Sequence, residues 1–183
     1  MYSPAEDSYF LSEEIKKHLS KIKNADLKQL KVLDMGSGSG IQAETCIVSG
    51  INKANITCVD IDGKVIKHLK SKGLKTKKRN IFSNLNKKSK FDLITFNPPY
   101  LPEDPYDKQI DTTAGKNGYE LILKFLKQAK THLNKNGTIL LLISSLSKPL
   151  IIKKEAKKLD YKLAVIKEKK LFFEKLFVLE LKL

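Results

Sequence analysis

The chain contains no tryptophan and a single arginine, Arg79, although its 35 basic residues against 20 acidic ones give a net charge of +15. A basic balance of this size is typical of nucleic-acid-binding proteins. Such proteins favour arginine, however, because its planar guanidinium pairs with phosphates and guanine edges. The lysines spread over helical and loop stretches, as in 87–88 and 153–158. We therefore interpret most of them as solvated surface and keep contact with RNA or a ribosome-associated partner as the alternative.

Cysteine is equally scarce, since only Cys46 and Cys58 are present. Their separation fits neither a zinc site nor a CxxC redox pair, so we predict two buried free thiols and no metal site. No apolar run approaches the roughly 20 residues of a membrane span. Residues 1–10 carry acidic residues early and lack the basic-then-apolar pattern of a signal peptide. These absences predict a cytoplasmic protein with no membrane partner.

The composition that remains is that of one globular domain over residues 1–183, with 41% hydrophobic residues. Apolar periodicity and turn residues predict helices over 6–20, 41–49, 63–71, 118–133 and 147–159. They predict strands over 31–35, 56–61, 74–77, 91–96, 138–143, 161–166 and 172–181. This alternation indicates an α/β fold with a seven-stranded, mostly parallel sheet and helices on both faces. Asn136-Gly137 is predicted to turn the chain into the fifth strand. A polar turn at 167–170 then joins the last two strands into a C-terminal hairpin, which gives the sheet one antiparallel strand.

A glycine-rich turn, in the segment VLDMGSGSG, follows the first predicted strand. Asp34 ends that strand, and Gly36, Gly38 and Gly40 come after it. Glycine allows a tight turn and lets a ligand approach the backbone closely. Asp60 ends the second strand, at a spacing that suits a carboxylate binding both hydroxyls of a ribose. Since ligands of doubly wound sheets bind at the carboxyl ends of strands, the segment predicts a nucleoside site.

Three interpretations of this turn stay open at this point. Residues 38–43 fit the GxGxxG/A pattern of dinucleotide-binding proteins. The second candidate ligand is S-adenosylmethionine, which has a ribose and an adenine but no pyrophosphate, and whose ammonium could pair with Asp34. In the third interpretation the glycines only turn the chain.

The tetrapeptide Asn97-Pro98-Pro99-Tyr100 follows a second buried strand end. Proline donates no backbone hydrogen bond and is unsuited to a central strand. The Asn97 side-chain oxygen and the Pro98 carbonyl offer two acceptors, which match the two hydrogens of one planar NH₂ group. The prolines hold both acceptors rigid, and Tyr100 adds an aromatic face. The motif therefore predicts methyl transfer to a nitrogen with a delocalised lone pair, in which positioning matters more than a charged base.

In this order and spacing, DMGSGSG, VDID and NPPY resemble the amino-class methyltransferases that use S-adenosylmethionine. The segments at 2–11 and 114–126 further resemble the HemK-related branch of archaea and eukaryotes. The resemblance covers nearly the whole chain. It implies a Rossmann-like class I methyltransferase fold and methylation of the glutamine amide in the GGQ motif of a class-1 release factor.

The resemblance also implies roles for individual residues. Asn97 would bind the target amide as the central catalytic residue, together with Pro98, Pro99 and Tyr100. Asn80 stands where the family has an aspartate near the adenine amine, and an asparagine oxygen can still accept from that amine. The implied donor-binding residues are Ser8, Asp34, Gly36, Gly38, Gly40, Asp60, Asn80, Ile81 and Asn97.

Partners follow from the same resemblance. The bacterial relatives carry an extra N-terminal domain that grips the release factor, whereas this sequence begins at the catalytic fold. The eukaryotic relatives pair with a small zinc-binding activator subunit, and we expect such a heterodimer here.

The acceptor has alternatives. Related pockets methylate exocyclic amines of nucleobases in RNA or DNA, or small molecules. The loop 103–111 carries four carboxylates and one lysine and would repel a phosphate backbone, which favours a protein substrate. A non-catalytic subunit or another nucleotide-binding enzyme is the remaining possibility.

Overall fold

A computed structural model describes residues 3–99 and 118–183 of the chain. Seven strands form one sheet in the order β3-β2-β1-β4-β5-β7-β6. The strands are β1 (Val32–Met35), β2 (Ile56–Asp60), β3 (Lys75–Lys78), β4 (Phe91–Phe96), β5 (Leu133–Ser144), β6 (Lys162–Lys170) and β7 (Lys175–Lys182). The helices are α1 (Glu6–Leu19), α2 (Asn24–Leu27), α3 (Ile41–Val48), α4 (Gly63–Ser71), α5 (Glu120–Ala129) and α6 (Pro149–Lys158).

The first five strands pair in parallel, and β7 runs antiparallel to both of its neighbours, β5 and β6. This arrangement confirms the predicted mostly parallel sheet with one antiparallel strand. Strand order reverses beside β1, where the chain moves from β3 back to β4. The carboxyl ends of β1, β2 and β4 therefore lie side by side, which is where ligands bind in such sheets.

Two apolar clusters cover the two faces of the sheet, because successive side chains of a strand point in opposite directions. Leu33 packs with α5 and α6 on one face, whereas Val32 packs with α1, α3 and α4 on the other. The predicted helices on both faces are confirmed. Cys46 and Cys58 are buried free thiols, also as predicted. Burial raises the pKa of both, so they stay neutral and unreactive.

The start of β5 differs from the prediction. The chain pairs Phe91 with Leu133, and the register then shifts before Leu93 pairs with Thr138. Asn136-Gly137 consequently lies inside an irregular strand, not in a turn before it, and α5 ends at Ala129. A Cβ at Gly137 would lie 2.9 Å from the Phe91 carbonyl oxygen, so glycine is required by this close packing.

The C-terminal hairpin also turns later than predicted. The polar residues 167–170 belong to β6, and the turn is formed by residues 171–174. The Leu171 amide donates to the Glu174 carbonyl over 2.8 Å and closes this turn. Lysine-rich sequence is compatible with β6 because β6 is an edge strand, where charged side chains stay in water. Phe172 and Phe173, predicted to start the last strand, lie in the turn instead.

Several remaining predictions concern boundaries or residues outside the described ranges. Helix α6 begins at Pro149, after a 3-10 turn at Ser145–Ser147, and the short α2 was not predicted. Tyr100 and the acidic loop 103–111 fall outside the described residues, so their predicted roles stay predictions. Of the helices described, none has both the length and the apolar character that a membrane crossing requires.

Candidate active site

Three strand ends bring the predicted site residues together. Asp34 on β1 is level with Cys58 on β2 and with Thr95 on β4. Asp60 ends β2 two residues later, and Asn97 immediately follows β4. The glycine turn and residues 97–99, far apart in sequence, therefore share one edge of the sheet.

Asp34 is a buried carboxyl group with one unsatisfied oxygen. Its side chain is 1% exposed, and Thr95 Oγ1 donates to Asp34 Oδ1 over 3.0 Å. Oδ2 is buried and has no hydrogen-bond partner within the described part of the chain. Burial raises the pKa of Asp34 to about 7, although hydrogen bonds from Thr95 and Ser37 act in the opposite direction. Such an oxygen calls for a polar or cationic partner from a ligand.

The three glycines of the turn all have left-handed backbone angles, with φ of +60° at Gly36, +50° at Gly38 and +88° at Gly40. A Cβ at Gly40 would lie 2.7 Å from Leu69, and one at Gly36 would lie 3.2 Å from Phe96, so these two serve close packing. A Cβ at Gly38 would have its nearest neighbour 3.9 Å away. The turn therefore leaves open space at Gly38, where a ligand could approach the backbone.

The Asp60 carboxylate is held by two backbone amides. Gly38 N–H donates to Oδ2 over 3.0 Å, and Asp62 N–H donates to Oδ1 over 2.9 Å. The loop after β3 lies against the same strand end, because Arg79 N–H donates to the Asp60 carbonyl over 2.8 Å. These contacts hold the carboxylate in a fixed orientation beside the glycine turn.

Asn97 is oriented by a residue that the sequence interpretation did not assign. Its Nδ2 donates to Asp7 Oδ2 over 3.0 Å. Its Oδ1 is buried and has no hydrogen-bond partner among the described residues. Since the amide nitrogen is held by Asp7, the oxygen is the group left to accept from a ligand. Pro98 is buried and Pro99 half-buried, so the segment after Asn97 is packed in place.

The N-terminal helix is fastened to the glycine turn through buried polar groups. Ser8 is buried, and its hydroxyl lies 3.2 Å from Asp7 Oδ1. The Ser8 carbonyl accepts from Ser12 Oγ and from Gln42 Nε2, each over 2.9 Å. Gln42 lies on α3, directly after the glycines. Ser8 is therefore part of the contact between α1 and α3, and its role toward a donor stays a prediction.

The predicted adenine-side residues, Asn80 and Ile81, follow β3. Asn80 is exposed, and its carbonyl accepts from Ser83 N–H over 3.1 Å. Ile81 is buried and has φ of +46°, an unusual angle for a β-branched residue. The hydrogen bond from neighbouring Arg79 places this segment beside Asp60. Ile61, 58% exposed next to Asp60, adds an apolar surface that the sequence interpretation missed.

A lysine-lined cleft of about 340 Å³ lies at the opposite edge of the sheet. It is bordered by residues at the amino-terminal starts of strands, including Lys31, Lys75 and Lys90. Part of the basic surface that invited a nucleic-acid interpretation therefore lies away from the candidate active site. Among residues 3–99 and 118–183, no group of His, Cys, Asp and Glu could hold a metal ion.

Comparison with known proteins identifies the class of protein that this fold and site define. Residues 11–170 match the model of the methyltransferase small domain family. The chain belongs to that family, and the resemblance to methyltransferases is confirmed.

Named relatives and a solved structure agree with this assignment. A Methanocaldococcus jannaschii protein, provisionally named a protein N5-glutamine methyltransferase, is 32% identical over 98% of this chain and 90% of its own length. The release factor glutamine methyltransferase of Clostridium botulinum is 31% identical over 74% of this chain, which spans 53% of that relative. A chain of the E. cuniculi Mtq2–Trm112 complex superposes with a TM-score of 0.77 at 20% identity, covering 99% of this chain and 97% of that one. At this identity the structure confirms the Rossmann-like fold.

Proposed function

We propose that this methyltransferase transfers a methyl group from S-adenosylmethionine to the side-chain amide nitrogen of a glutamine in a class-1 release factor. The observation that carries the proposal is the buried, unsatisfied Oδ1 of Asn97, whose amide nitrogen is bound by Asp7. An acceptor oxygen held in this way suits an NH₂ group of the substrate. The names of the archaeal and clostridial relatives, and the methylation of eRF1 by the Mtq2–Trm112 complex, support glutamine as the acceptor.

The residues at the strand ends fit the donor. The free Oδ2 of Asp34 would pair with the donor's ammonium group, and Asp60 would accept hydrogen bonds from its ribose hydroxyls. The open space at Gly38 would let the donor lie against the backbone of the turn. The donor supplies an electrophilic methyl group bound to a sulfonium sulfur. When the methyl group is transferred, that sulfur becomes part of a neutral thioether. Asn80 and Ile81 would contribute the adenine side, next to Asp60.

On the acceptor side, the work of the protein is positioning. An amide nitrogen has its lone pair delocalised, so the NH₂ must be held with that nitrogen facing the methyl group. Asn97 Oδ1 and the Pro98 carbonyl would accept hydrogen bonds from its two N–H groups and stabilise the positive charge that develops on them. As the N–CH₃ bond forms and the S–CH₃ bond breaks, the nitrogen would release one of its two protons to water. Both acceptors belong to a packed segment, which limits reorganisation during reaction.

The release factor is the proposed substrate, and a small zinc-binding subunit is the proposed partner. The Mtq2–Trm112 structure, a two-protein complex, supports a heterodimer because its fold matches over nearly the whole chain.

The direct test incubates the purified chain, with and without a candidate small subunit, with isotopically labelled methyl donor and a class-1 release factor. The matched control is the same release factor with the GGQ glutamine replaced by asparagine, whose shorter side chain cannot reach the same point. We expect one methyl group on that glutamine by mass spectrometry and none on the control. Label on bulk RNA or DNA, with an unmodified release factor, would overturn the proposal in favour of a nucleobase acceptor.

A further inference from the structure

Two adjacent aromatic side chains stand in solvent at the turn between β6 and β7. Phe172 is 92% exposed and Phe173 is 87% exposed. Their rings touch edge to face, with centroids 4.5 Å apart and planes at 85°. Two phenylalanines left in water forgo the favourable free energy of burying their rings. We call this pair the aromatic tip. Apolar side chains that lie together in solvent often mark the place where another molecule binds.

The aromatic tip projects from the edge of the sheet that carries Asn97. Strand β5 runs parallel to β4, with Leu141 opposite Phe96, and it ends at Ser144 opposite Leu176 of β7. The turn precedes β7, so it lies beyond that same edge. Counting residues at about 3.3 Å each, the tip extends roughly 20 Å past the level of Phe96 and stands two strands to the side.

The turn is held in this position by contacts on both sides. Lys175 N–H donates to Ser145 Oγ over 3.0 Å, and the Ser144 hydroxyl donates to the Glu174 carboxylate. At the other strand, Lys169 forms an ion pair of 2.6 Å with Glu6 of α1. Glu6 directly precedes Asp7, the residue that binds Asn97. Strand β6, which leads into the tip, and Asn97 therefore both contact the first turn of α1.

We propose that the aromatic tip docks the protein substrate, by inserting into an apolar depression on the surface of the protein that presents the acceptor glutamine. This inference rests on the proposed function. A folded protein that brings a loop to Asn97 must lie over this edge, and among the described residues the tip is the pair of large apolar side chains most exposed there. Buried aromatic anchors carry much of the binding energy of protein interfaces, because they bury large areas at little entropic cost.

The geometry of the rings favours a protein over a nucleic acid at the tip. Two of the flanking lysines are paired with carboxylates, Lys169 with Glu6 and Lys175 with Glu168 at 3.6 Å, whereas Lys170 is exposed. A single-stranded nucleic acid would need a positively charged groove beside open ring faces. In the tip, the edge of one ring covers part of the face of the other.

The test compares a double variant, Phe172→Ser with Phe173→Ser, with the unmodified chain on two substrates. One substrate is the intact release factor, and the other is a peptide of about 7 residues centred on the same glutamine, whose flanking residues extend only about 10 Å to either side. We expect kcat/KM on the release factor to fall about 10- to 100-fold, the range for losing an interface anchor. On the peptide, which is too short to reach the tip, kcat/KM should be unchanged.

Val48→Ser is the matched control, because Val48 is also an exposed apolar residue, 76% accessible, but it ends α3 at the far edge of the sheet. Thermal unfolding checks the fold of each variant, and the single change Phe173→Ser replaces the double one if that variant unfolds. An unchanged rate on the release factor would overturn the inference, as would an equal loss on both substrates. Loss of RNA binding with unchanged release-factor methylation would assign the tip to a nucleic acid instead.

A binding measurement separates this inference from the proposed function. Calorimetric titration of the release factor into the chain needs no methyl transfer. If the unmodified chain binds the release factor but methylates neither substrate, the proposed function fails. The inference about the tip is then still decided by whether the double variant weakens that binding. If neither binding nor methylation occurs when the small subunit is also present, both proposals fail.

Discussion

The carboxylate of Asp7 accepts a hydrogen bond of 3.0 Å from the side-chain amide of Asn97, a residue 90 positions further along the chain. This contact fixes the orientation of the Asn97 amide. It leaves Oδ1 as a buried acceptor with no partner among the described residues. The N-terminal helix therefore contributes directly to the geometry of the candidate active site.

Replacing Asn97 with alanine removes the proposed acceptor for the substrate amide. We expect kcat to fall on the order of 10²-fold or more, as for the loss of one oriented polar group in other enzymes. Affinity for S-adenosylhomocysteine, measured by calorimetry, should change little. A collapse of donor-side affinity with this variant would show that Asn97 belongs mainly to the donor site.

Replacing Asp7 with alanine should act through Asn97, because the amide would lose the bond that holds its orientation. A hydrogen bond to a charged group contributes about 1.5–3 kcal/mol, so we expect kcat to fall roughly 10- to 100-fold. Asp7→Asn keeps an oxygen that can accept from Asn97 Nδ2 and should restore part of the rate. A merely structural role would instead lower the melting temperature equally in both variants and give no such difference in kcat.

Replacing Asp60 with alanine should weaken the binding of the methyl donor more than it slows the chemical step. The two backbone amides that now bind the carboxylate, Gly38 and Asp62, would lose their partner, and so would the donor's ribose. We expect the KM for S-adenosylmethionine to rise about 10- to 100-fold, with a smaller change in kcat.

Asp62→Ala is the control for that measurement. Asp62 caps α4 by accepting from Lys64 N–H over 2.8 Å, so its loss should cost about 1 kcal/mol of stability. Donor affinity should stay close to that of the unmodified chain. Equal losses of affinity in the two variants would argue that the whole turn, and not the Asp60 carboxylate, binds the donor.

Donor binding should depend on pH through Asp34, whose pKa is raised to about 7 by burial. Below that pKa the group is protonated and cannot attract an ammonium, so affinity for S-adenosylhomocysteine should increase as the pH rises through about 7. Binding near neutral pH should release a proton, measurable by calorimetry in buffers of different ionisation enthalpy. Asp34→Asn should bind more weakly and lose this pH dependence; an unchanged profile in that variant would assign the titration to another group.

The same shift has a consequence for stability in the ligand-free chain. Because the folded state keeps Asp34 protonated at a pH where the unfolded chain has ionised it, the folded state binds more protons between about pH 4 and 7. This carboxyl group therefore lowers the free energy of unfolding as the pH rises across that window. Asp34→Asn should remove this contribution to the pH dependence.

The sequence by itself determined the fold class and the positions of the main site residues. Glycines after an apolar run, and Asn-Pro-Pro after another, mark strand ends through local burial and backbone chemistry. In a parallel sheet those ends necessarily share one edge. Asp34, Asp60 and Asn97 could therefore be placed together without a structure.

Tertiary structure alone decided how those residues are held. The bonds from Asn97 to Asp7 and from Thr95 to Asp34 join residues 90 and 61 positions apart, and they depend on how α1 packs and how β1 registers with β4. The start of β5 and the turn that exposes Phe172 likewise follow from strand pairing, which overrides local turn signals such as Asn136-Gly137. Local sequence patterns record burial and turns, whereas the orientation of a side chain at a site depends on neighbours brought close only by folding.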